Sequence, residues 1–112
     1  MRQSTININV ALDEKNIPEQ IRWSASDAPS DAGEEARAML LALWDGKQRN
    51  VISLDLWTKE MTVEEMNHFF FQTLMTMSET LKRATQNQQA SNELKEFARK
   101  FFETVQIDAQ KK

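Results

Sequence analysis

Hydrophobic and polar residues alternate along the first part of the chain. From Ile6 to Leu12 every second residue is apolar, which is the spacing of a β-strand with one buried face. The polar residues 13–16 interrupt the pattern, and it resumes from Gln20 to Ala25. Pro18 lies at the entry of this second segment, where its missing N–H does least harm. The two segments therefore predict a β-hairpin with a polar turn.

The next segment favours a helix followed by a third strand. Residues 26–33 are mostly small and polar and predict a loop, with Asp31 as a helix N-cap and acidic residues in the first turn after it. Gly46 is a natural residue to end such a helix. The apolar residues that would share its inner face are Ala36, Met39, Leu40 and Leu43, with Trp44 at the border. Alternation then returns from Val51 to Trp57 and predicts the third strand.

The last part of the chain carries a helical pattern. Thr62 followed by Glu65 is a capping-box signature, and the apolar residues after it recur at the spacing of one helix face. They are Val63, Met66, Phe70, Leu74, Met77, Leu81 and Ala84. Residues 85–88 predict a break, and a last helix follows from Ala90 to Val105. We expect residues 106–112 to be a frayed polar tail.

The elements follow one another in the order β-β-α-β-α-α. This order predicts a single α+β domain over residues 1–112, close to the usual size of one domain. The simplest architecture is a three-stranded antiparallel sheet with the helices packed on one face. If the connection between the second and third strands is right-handed, the third strand lies beside the first, and the strand order is 2-1-3.

Composition excludes several classes of protein. The chain has 112 residues with a net charge of −3 and contains no cysteine, so disulfides and thiolate metal sites are excluded. The N-terminus lacks the apolar core of a signal peptide, and no segment reaches the ~18 apolar residues of a membrane span. We therefore expect a cytoplasmic protein without direct membrane insertion. The few basic pairs are interleaved with glutamates, which argues against nucleic-acid binding.

No catalytic constellation is visible. His68 is the only histidine and lies roughly opposite the apolar helix stripe, so a solvated surface imidazole is favoured over a catalytic one. The paired acids fall at turns or predicted helix starts, where the backbone stabilises them locally. Two glycines cannot form a phosphate-binding loop. The sequence predicts a protein that is not an enzyme and has no cofactor or metal.

The outward face of the predicted sheet is a candidate binding surface. Its residues are Thr5, Asn7, Asn9, Gln20, Arg22, Ser24, Ser53, Asp55 and Trp57. Most of them are small, uncharged and inexpensive to desolvate, and Trp57 is an anchor of the kind found in binding hot spots. The alternative is an ordinary polar face with Trp57 folded under a loop. These two interpretations stay open at this point.

Three consecutive phenylalanines, 69–71, cannot all face one core, because they span about 200° of a helix. Phe70 is central to the apolar stripe and Phe69 borders it, whereas Phe71 points away beside Met75. We expect the last helix, with Phe101 and Phe102, to cover Phe71. A partner or a second copy of the chain is the alternative.

Several short strings, taken in order, resemble the small gliding motility protein GldC family of the Bacteroidetes. The strings span the chain at residues 4–6, 12–14, 17–19, 23–27, 55–59, 65–66, 69–70, 72–74 and 83–87. Among them are Trp23-Ser24-Ala25-Ser26-Asp27, Asp55-Leu56-Trp57-Thr58-Lys59 and Arg83-Ala84-Thr85-Gln86-Asn87. The resemblance implies a cytoplasmic accessory protein of the machinery that moves surface adhesins along the cell. It implies no enzyme activity and no catalytic residue.

The leading hypothesis is that the chain is a non-catalytic adaptor that binds a protein partner. Its candidate contact regions lie at the ends of strands and helices, where exposed loops tend to carry function. The candidate partner-binding residues are Trp57, Asp55, Lys59, Asn7, Asn9, Arg22, Arg83 and Asn87. The alternative is a small-molecule or lipid-binding module with a pocket between sheet and helices, which the six Met and six Phe would line. Homodimerisation through exposed strand edges is a further hypothesis.

Overall fold

The computed structural model describes residues 2–27 and 34–110, with side chains described up to residue 106. The elements are β1 (Ile6–Leu12), β2 (Pro18–Ala25), β3 (Glu34–Ala36), β4 (Ala38–Asp45), β5 (Asn50–Trp57), α1 (Val63–Thr85) and α2 (Gln88–Gln110). They fall into two compact units, Met1–Met61 with the strands and Thr62–Lys112 with the helices. The predicted α+β class is confirmed. Neither the single-domain organisation nor fraying after residue 105 is tested, and both stay predictions.

The first hairpin forms as the alternation predicts. β1 and β2 are antiparallel, with Val10 opposite Ile21 and Ile6 opposite Ala25, so the apolar residues of both strands share one face. Ile21 is buried and is the centre of the core of this unit. β3 pairs with the other edge of β2, which places Ala36 opposite Ile21. The apolar residues of this sheet therefore centre on β2, its middle strand.

The helix predicted between Asp31 and Gly46 is wrong: Glu34–Ala36 and Ala38–Asp45 are strands. Gly46 does not end a helix but lies in the turn between β4 and β5. An unbroken apolar run such as 38–44 fits a helix or a strand equally by periodicity. Alanine, methionine and leucine favour a helix intrinsically, but pairing with β5 along the whole strand overrides that preference. The predicted N-cap, Asp31, lies outside the described residues.

The sheet topology also differs from the prediction. The described strands form a three-stranded sheet in the order β1-β2-β3 and a separate two-stranded sheet, β4-β5. The strand predicted third, here β5, pairs with β4 and not with β1. The predicted order 2-1-3 is wrong because it assumed a helical crossover before that strand, whereas the observed connection is a short hairpin turn.

The two helices form an antiparallel hairpin; α1 begins at the predicted cap, whereas α2 spans Gln88–Gln110 and is longer than the predicted Ala90–Val105. Thr62 and Glu65 make the full capping box at the start of α1. Gln86 adopts a left-handed conformation with φ of 61° and ends α1 by donating its N–H to the carbonyl of Lys82. Asn87 then begins α2, because its Oδ1 accepts the N–H of Ala90 at 2.9 Å.

Small residues form a buried contact between the helices. Ser78, Ser91 and Ala98 are all buried, and the hydroxyl of Ser91 donates to the carbonyl of Ser78 at 2.8 Å. Short side chains let the two backbones approach closely, so this contact fixes the hairpin near its turn. The salt bridge between Lys95 and Glu79, at 2.6 Å, lies beside it.

Aromatic contacts hold the other end of the helical hairpin. The ring of Phe71 meets that of Phe102 edge to face, with centroids 4.6 Å apart. The ring centroids of Phe70 and Phe101 are 6.5 Å apart. The expectation that the last helix covers Phe71 is therefore confirmed.

Candidate protein-binding face

One face of the β4–β5 hairpin carries exposed aromatic and aliphatic side chains. The strand register places eight residues on it, namely Ala38, Leu40, Ala42, Trp44, Val51, Ser53, Asp55 and Trp57. We call this set the tryptophan face. Trp44 is 63% exposed and Trp57 is 56% exposed. A tryptophan this accessible at each end of one face marks a surface suited to a partner.

The tryptophan face is long and narrow. Trp57 lies opposite Ala38, and Trp44 lies opposite Val51 six residues further along β4. At about 3.4 Å per residue, the two tryptophans are separated by roughly 20 Å. Asp55 carries the only formal charge among the eight residues. The face therefore offers two apolar anchors with one acceptor group between them.

A tight turn fixes the Trp44 end. The Asp45 carboxylate accepts the N–H groups of Lys47 and Gln48, at 2.9 and 3.3 Å. The N–H of Arg49 donates to the carbonyl of Asp45 at 2.8 Å, and Arg49 has a φ of 54°. These contacts satisfy the turn internally, so Trp44 keeps its register with the opposite strand.

Buried and charged contacts fix the Trp57 end. Thr58 is buried, and its N–H donates to the carbonyl of Arg37 at 2.8 Å. The next residue, Lys59, places its Nζ 2.5 Å from Asp13 Oδ2 and 3.5 Å from Glu19 Oε1. The end of β5 is thereby tied to the turn between β1 and β2.

The Asp13–Lys59 contact shifts both ionisation equilibria. The hydrogen bond from Lys59, aided by the N–H of Ile17, lowers the pKa of Asp13 below its ordinary value. The same hydrogen bond raises the pKa of Lys59. Lys59 was predicted to contact a partner, and the structure gives it this internal role. Partner binding by Lys59 stays a prediction.

Three predicted site residues lie in the other sheet. Asn7 and Asn9 on β1, with Arg22 on β2, share the polar face of the first hairpin, where Asn9 is opposite Arg22. Arg22 is also opposite Glu35 of β3. The predicted single outward face is therefore wrong as a set, because its members divide between two sheets. Only Asp55 and Trp57, with Ser53, belong to the tryptophan face.

The remaining two predicted residues belong to the helical unit. Arg83 is exposed in the last turn of α1, where its guanidinium approaches Thr80 Oγ1 at 3.4 Å. Asn87 caps the start of α2. The capping contact accounts for Asn87 without a partner, and a binding role for either residue stays a prediction.

The sequence interpretation missed Trp44, Leu40 and Val51. The first two were assigned to a helix, which separated them from Trp57 in space. Val51 was placed on the strand, but its cross-strand neighbour Trp44 was not recognised. No periodic signal could have found them, because residues 38–44 form an unbroken apolar run that fits a helix and a strand equally.

The described residues supply no group of three or more His, Asp or Glu side chains placed to hold a metal ion. His68 is exposed and meets the ring of Phe102 edge to face, with centroids 5.7 Å apart. No helix within the described ranges is long and apolar enough to cross a membrane. The small-molecule hypothesis gains no supporting contact from the described residues and stays a prediction.

Comparison with known proteins gives one match. The family model for gliding motility-associated protein GldC-like matches residues 18–107, which is well over half of the chain. This match confirms the resemblance found in the short strings of the sequence. No curated protein and no solved structure matches the chain.

Proposed function

Because the chain belongs to the GldC-like family of gliding motility-associated proteins, we propose that it is a non-catalytic accessory protein that binds a protein partner through the tryptophan face. The observation that supports this proposal most directly is the exposure of Trp44 and Trp57 on one face of the β4–β5 hairpin. The family resemblance implies action in the cytoplasm, and this location is part of the proposal.

Covering the two tryptophans would supply most of the binding energy. An aromatic side chain buries about 150–250 Å² when fully covered, and each of these has roughly half of its surface still exposed. At about 25 cal/mol per Å², covering the remainder gives about 2–3 kcal/mol for each tryptophan. Val51 and Leu40 add to the apolar contact, so the face can support specific association.

Asp55 constrains the chemistry of the partner. A carboxylate that loses water on binding must receive hydrogen bonds or a positive charge in return. The partner therefore presents apolar side chains to the two tryptophans and an arginine, lysine or free backbone N–H to Asp55. A length of roughly 20 Å fits about six residues of an extended segment or about 13 residues of a helix.

The proposal is tested by affinity purification of the tagged chain from its native cells. We expect wild type to retain a specific protein that Trp57→Ala loses, while circular dichroism and the unfolding midpoint stay close to wild type. Leu43→Ala is the matched control, since Leu43 is also 56% exposed but projects from the opposite face of the hairpin.

Two results would contradict the proposal. One is retention of the same proteins by wild type and Trp57→Ala. The other is unfolding of Trp57→Ala, which would make Trp57 a core residue and not a binding anchor.

A further inference from the structure

The outer edge of β5 is a second surface with binding character. One edge of β5 pairs with β4, and no described strand pairs with the other. Val51, Ile52 and Leu54 along this strand are 59%, 54% and 51% exposed. The strand contains no lysine, arginine or proline, which are the residues that normally protect a free edge. β5 is therefore an unprotected template for strand pairing.

The small size of this sheet favours such pairing. A two-stranded hairpin is marginally stable by itself in water, and further strands or packing against a helix are needed for independent stability. The β4–β5 sheet has only two strands among the described residues. A strand added along β5 would extend the hydrogen-bond ladder and cover apolar side chains at the same time.

We propose that the added strand is β5 of a second copy, paired antiparallel about a two-fold axis through Leu54. In this register Leu54 faces Leu54 of the second copy and Ile52 faces Leu56, so one face of the joint sheet is continuously apolar. On the other face Val51 lies opposite Trp57, and Ser53 lies opposite Asp55. The result is a four-stranded sheet in the order β4-β5-β5-β4.

Neighbouring registers are less favourable. A shift by one residue would mix the two faces of the strand. Centring the pair on Asp55 would place two carboxylates directly opposite each other, which is destabilising. Centring it on Ser53 would keep an apolar pair, Ile52 with Leu54, but would place Val51 opposite Asp55 and Leu56 opposite Asn50, so the Val51–Trp57 and Ile52–Leu56 pairs would be lost. Leu54 is the centre that matches apolar with apolar and keeps the charges apart.

A second copy fits this edge because the sequence of β5 is complementary to itself on both faces. The symmetric arrangement also closes after two chains. The free edge of β5 is then paired in both copies, and no open fibre forms. The inference goes beyond the proposed function, since it uses the edge of the hairpin and not the tryptophan face. It would join two tryptophan faces side by side, because Val51 of one copy lies against Trp57 of the other.

The register can be tested by cross-linking. The chain has no cysteine, so Leu54→Cys introduces a single thiol. Directly opposed Cβ atoms lie about 4.5–5.5 Å apart, close to the range that a disulfide spans. We expect mild oxidation to give a covalent dimer of Leu54→Cys. Leu43→Cys is the matched control and should stay uncrosslinked, because β4 lies away from the two-fold axis.

Introducing a charge at the two-fold axis tests the same contact without a covalent bond. In Leu54→Lys, two lysines oppose each other, and in Leu54→Glu two carboxylates do. We expect each variant alone to raise the dimer dissociation constant about tenfold or more, and an equimolar mixture to restore the dimer. Sedimentation velocity measures all three samples, and circular dichroism checks that each variant is folded.

The inference would be overturned if wild type stayed monomeric up to about 0.1 mM, a concentration that populates dimers of micromolar affinity. It would also be overturned by a dimer that the Leu54 variants leave unchanged, since another surface would then join the copies. Affinity purification with folded, monomeric Leu54→Lys separates the two proposals: retention of the partner by this variant supports the tryptophan face independently of dimerisation.

Discussion

The Asp13 carboxylate closes the turn between β1 and β2 and also receives the Lys59 ammonium. Its Oδ1 accepts the N–H groups of Lys15 and Ile17, at 2.8 and 2.9 Å, while its Oδ2 contacts Lys59. The pattern of the sequence identified this segment as a polar turn. It could not identify the ion pair, because the 45 residues between the two carry no signal of their proximity.

The lowered pKa of Asp13 makes stability depend on pH. A carboxylate whose pKa is lower in the folded state contributes stability above its unfolded pKa, and this contribution is lost as the pH falls through the folded value. The raised pKa of Lys59 acts in the opposite direction: its contribution is present below the unfolded pKa and lost as the pH rises through the folded value. The pair therefore stabilises the first unit across the neutral range.

We expect Asp13→Asn to reduce the loss of stability on acidification. In wild type, the free energy of unfolding falls as the pH drops below about 4, where Asp13 begins to gain its proton in the unfolded chain. The variant lacks this group, so its curve should be flatter below that pH and lower at neutral pH. Tryptophan fluorescence is the measurement, because Trp23, Trp44 and Trp57 all lie in the first unit.

Glu14→Gln is the control for this experiment, since it removes an acid from the same turn without touching Lys59. A pH profile of Asp13→Asn that superimposes on that of wild type would show that the Asp13–Lys59 contact does not contribute to folding.

Among the elements, hydrophobic periodicity predicted both helices, the first hairpin and β5, but neither β3 nor β4. The capping box is a local signal that marks the start of α1, and the predicted break at residues 85–88 brackets the observed one, which consists of Gln86 and Asn87. The segment 38–44 carries an unbroken apolar run, for which local propensity favours the wrong state. The decisive interaction is pairing with β5, which the sequence shows only as a second apolar stretch a few residues later.

Substitution at Ala42 distinguishes a strand from a helix. Ala42 is exposed and lies opposite Ser53, so a threonine there suits the pleated surface. We expect Ala42→Thr to leave the stability of the first unit unchanged or to raise it by up to about 1 kcal/mol. Chemical denaturation followed by tryptophan fluorescence measures this effect.

The same change at Ala84, exposed on α1, is the matched control. Threonine costs about 0.5–0.7 kcal/mol relative to alanine in a helix, so Ala84→Thr should lower stability when unfolding is followed by circular dichroism at 222 nm. Destabilisation by Ala42→Thr of that same size would indicate that residues 38–45 are helical.

The contact between α1 and α2 is sensitive to side-chain volume. Ala98 is fully buried and lies on α2 between Ser91, which hydrogen-bonds Ser78 of α1, and Phe101, which contacts Phe70 of α1; overpacking a closely packed site typically costs about 1–3 kcal/mol. We expect Ala98→Leu to lower the free energy of unfolding by about that amount, measured by urea denaturation and circular dichroism. Ala84→Leu, at an exposed position of α1, should have little effect. Equal stability of the two variants would contradict the described helix packing.

At the scale of the whole molecule, the candidate site could be predicted only in part. Asp55 and Trp57 follow from the alternation of β5 and lie where the sequence placed them, on the face opposite Leu54 and Leu56. Trp44 could not be found, because its place on that face depends on the long-range pairing of β4. Asn7, Asn9 and Arg22 lie on one face of the first hairpin. That hairpin belongs to the β1-β2-β3 sheet and not to the β4-β5 sheet that carries Trp57.

We propose Trp57 as the residue that anchors a protein partner on the tryptophan face. The most direct measurement is the dissociation constant, by isothermal titration calorimetry, of the purified co-isolated protein for wild type and for Trp57→Ala. We expect binding to be roughly 30- to 150-fold weaker for the variant, since losing about 2–3 kcal/mol of buried contact changes affinity by that factor, together with unchanged circular dichroism. Equal dissociation constants for the two proteins would contradict this proposal.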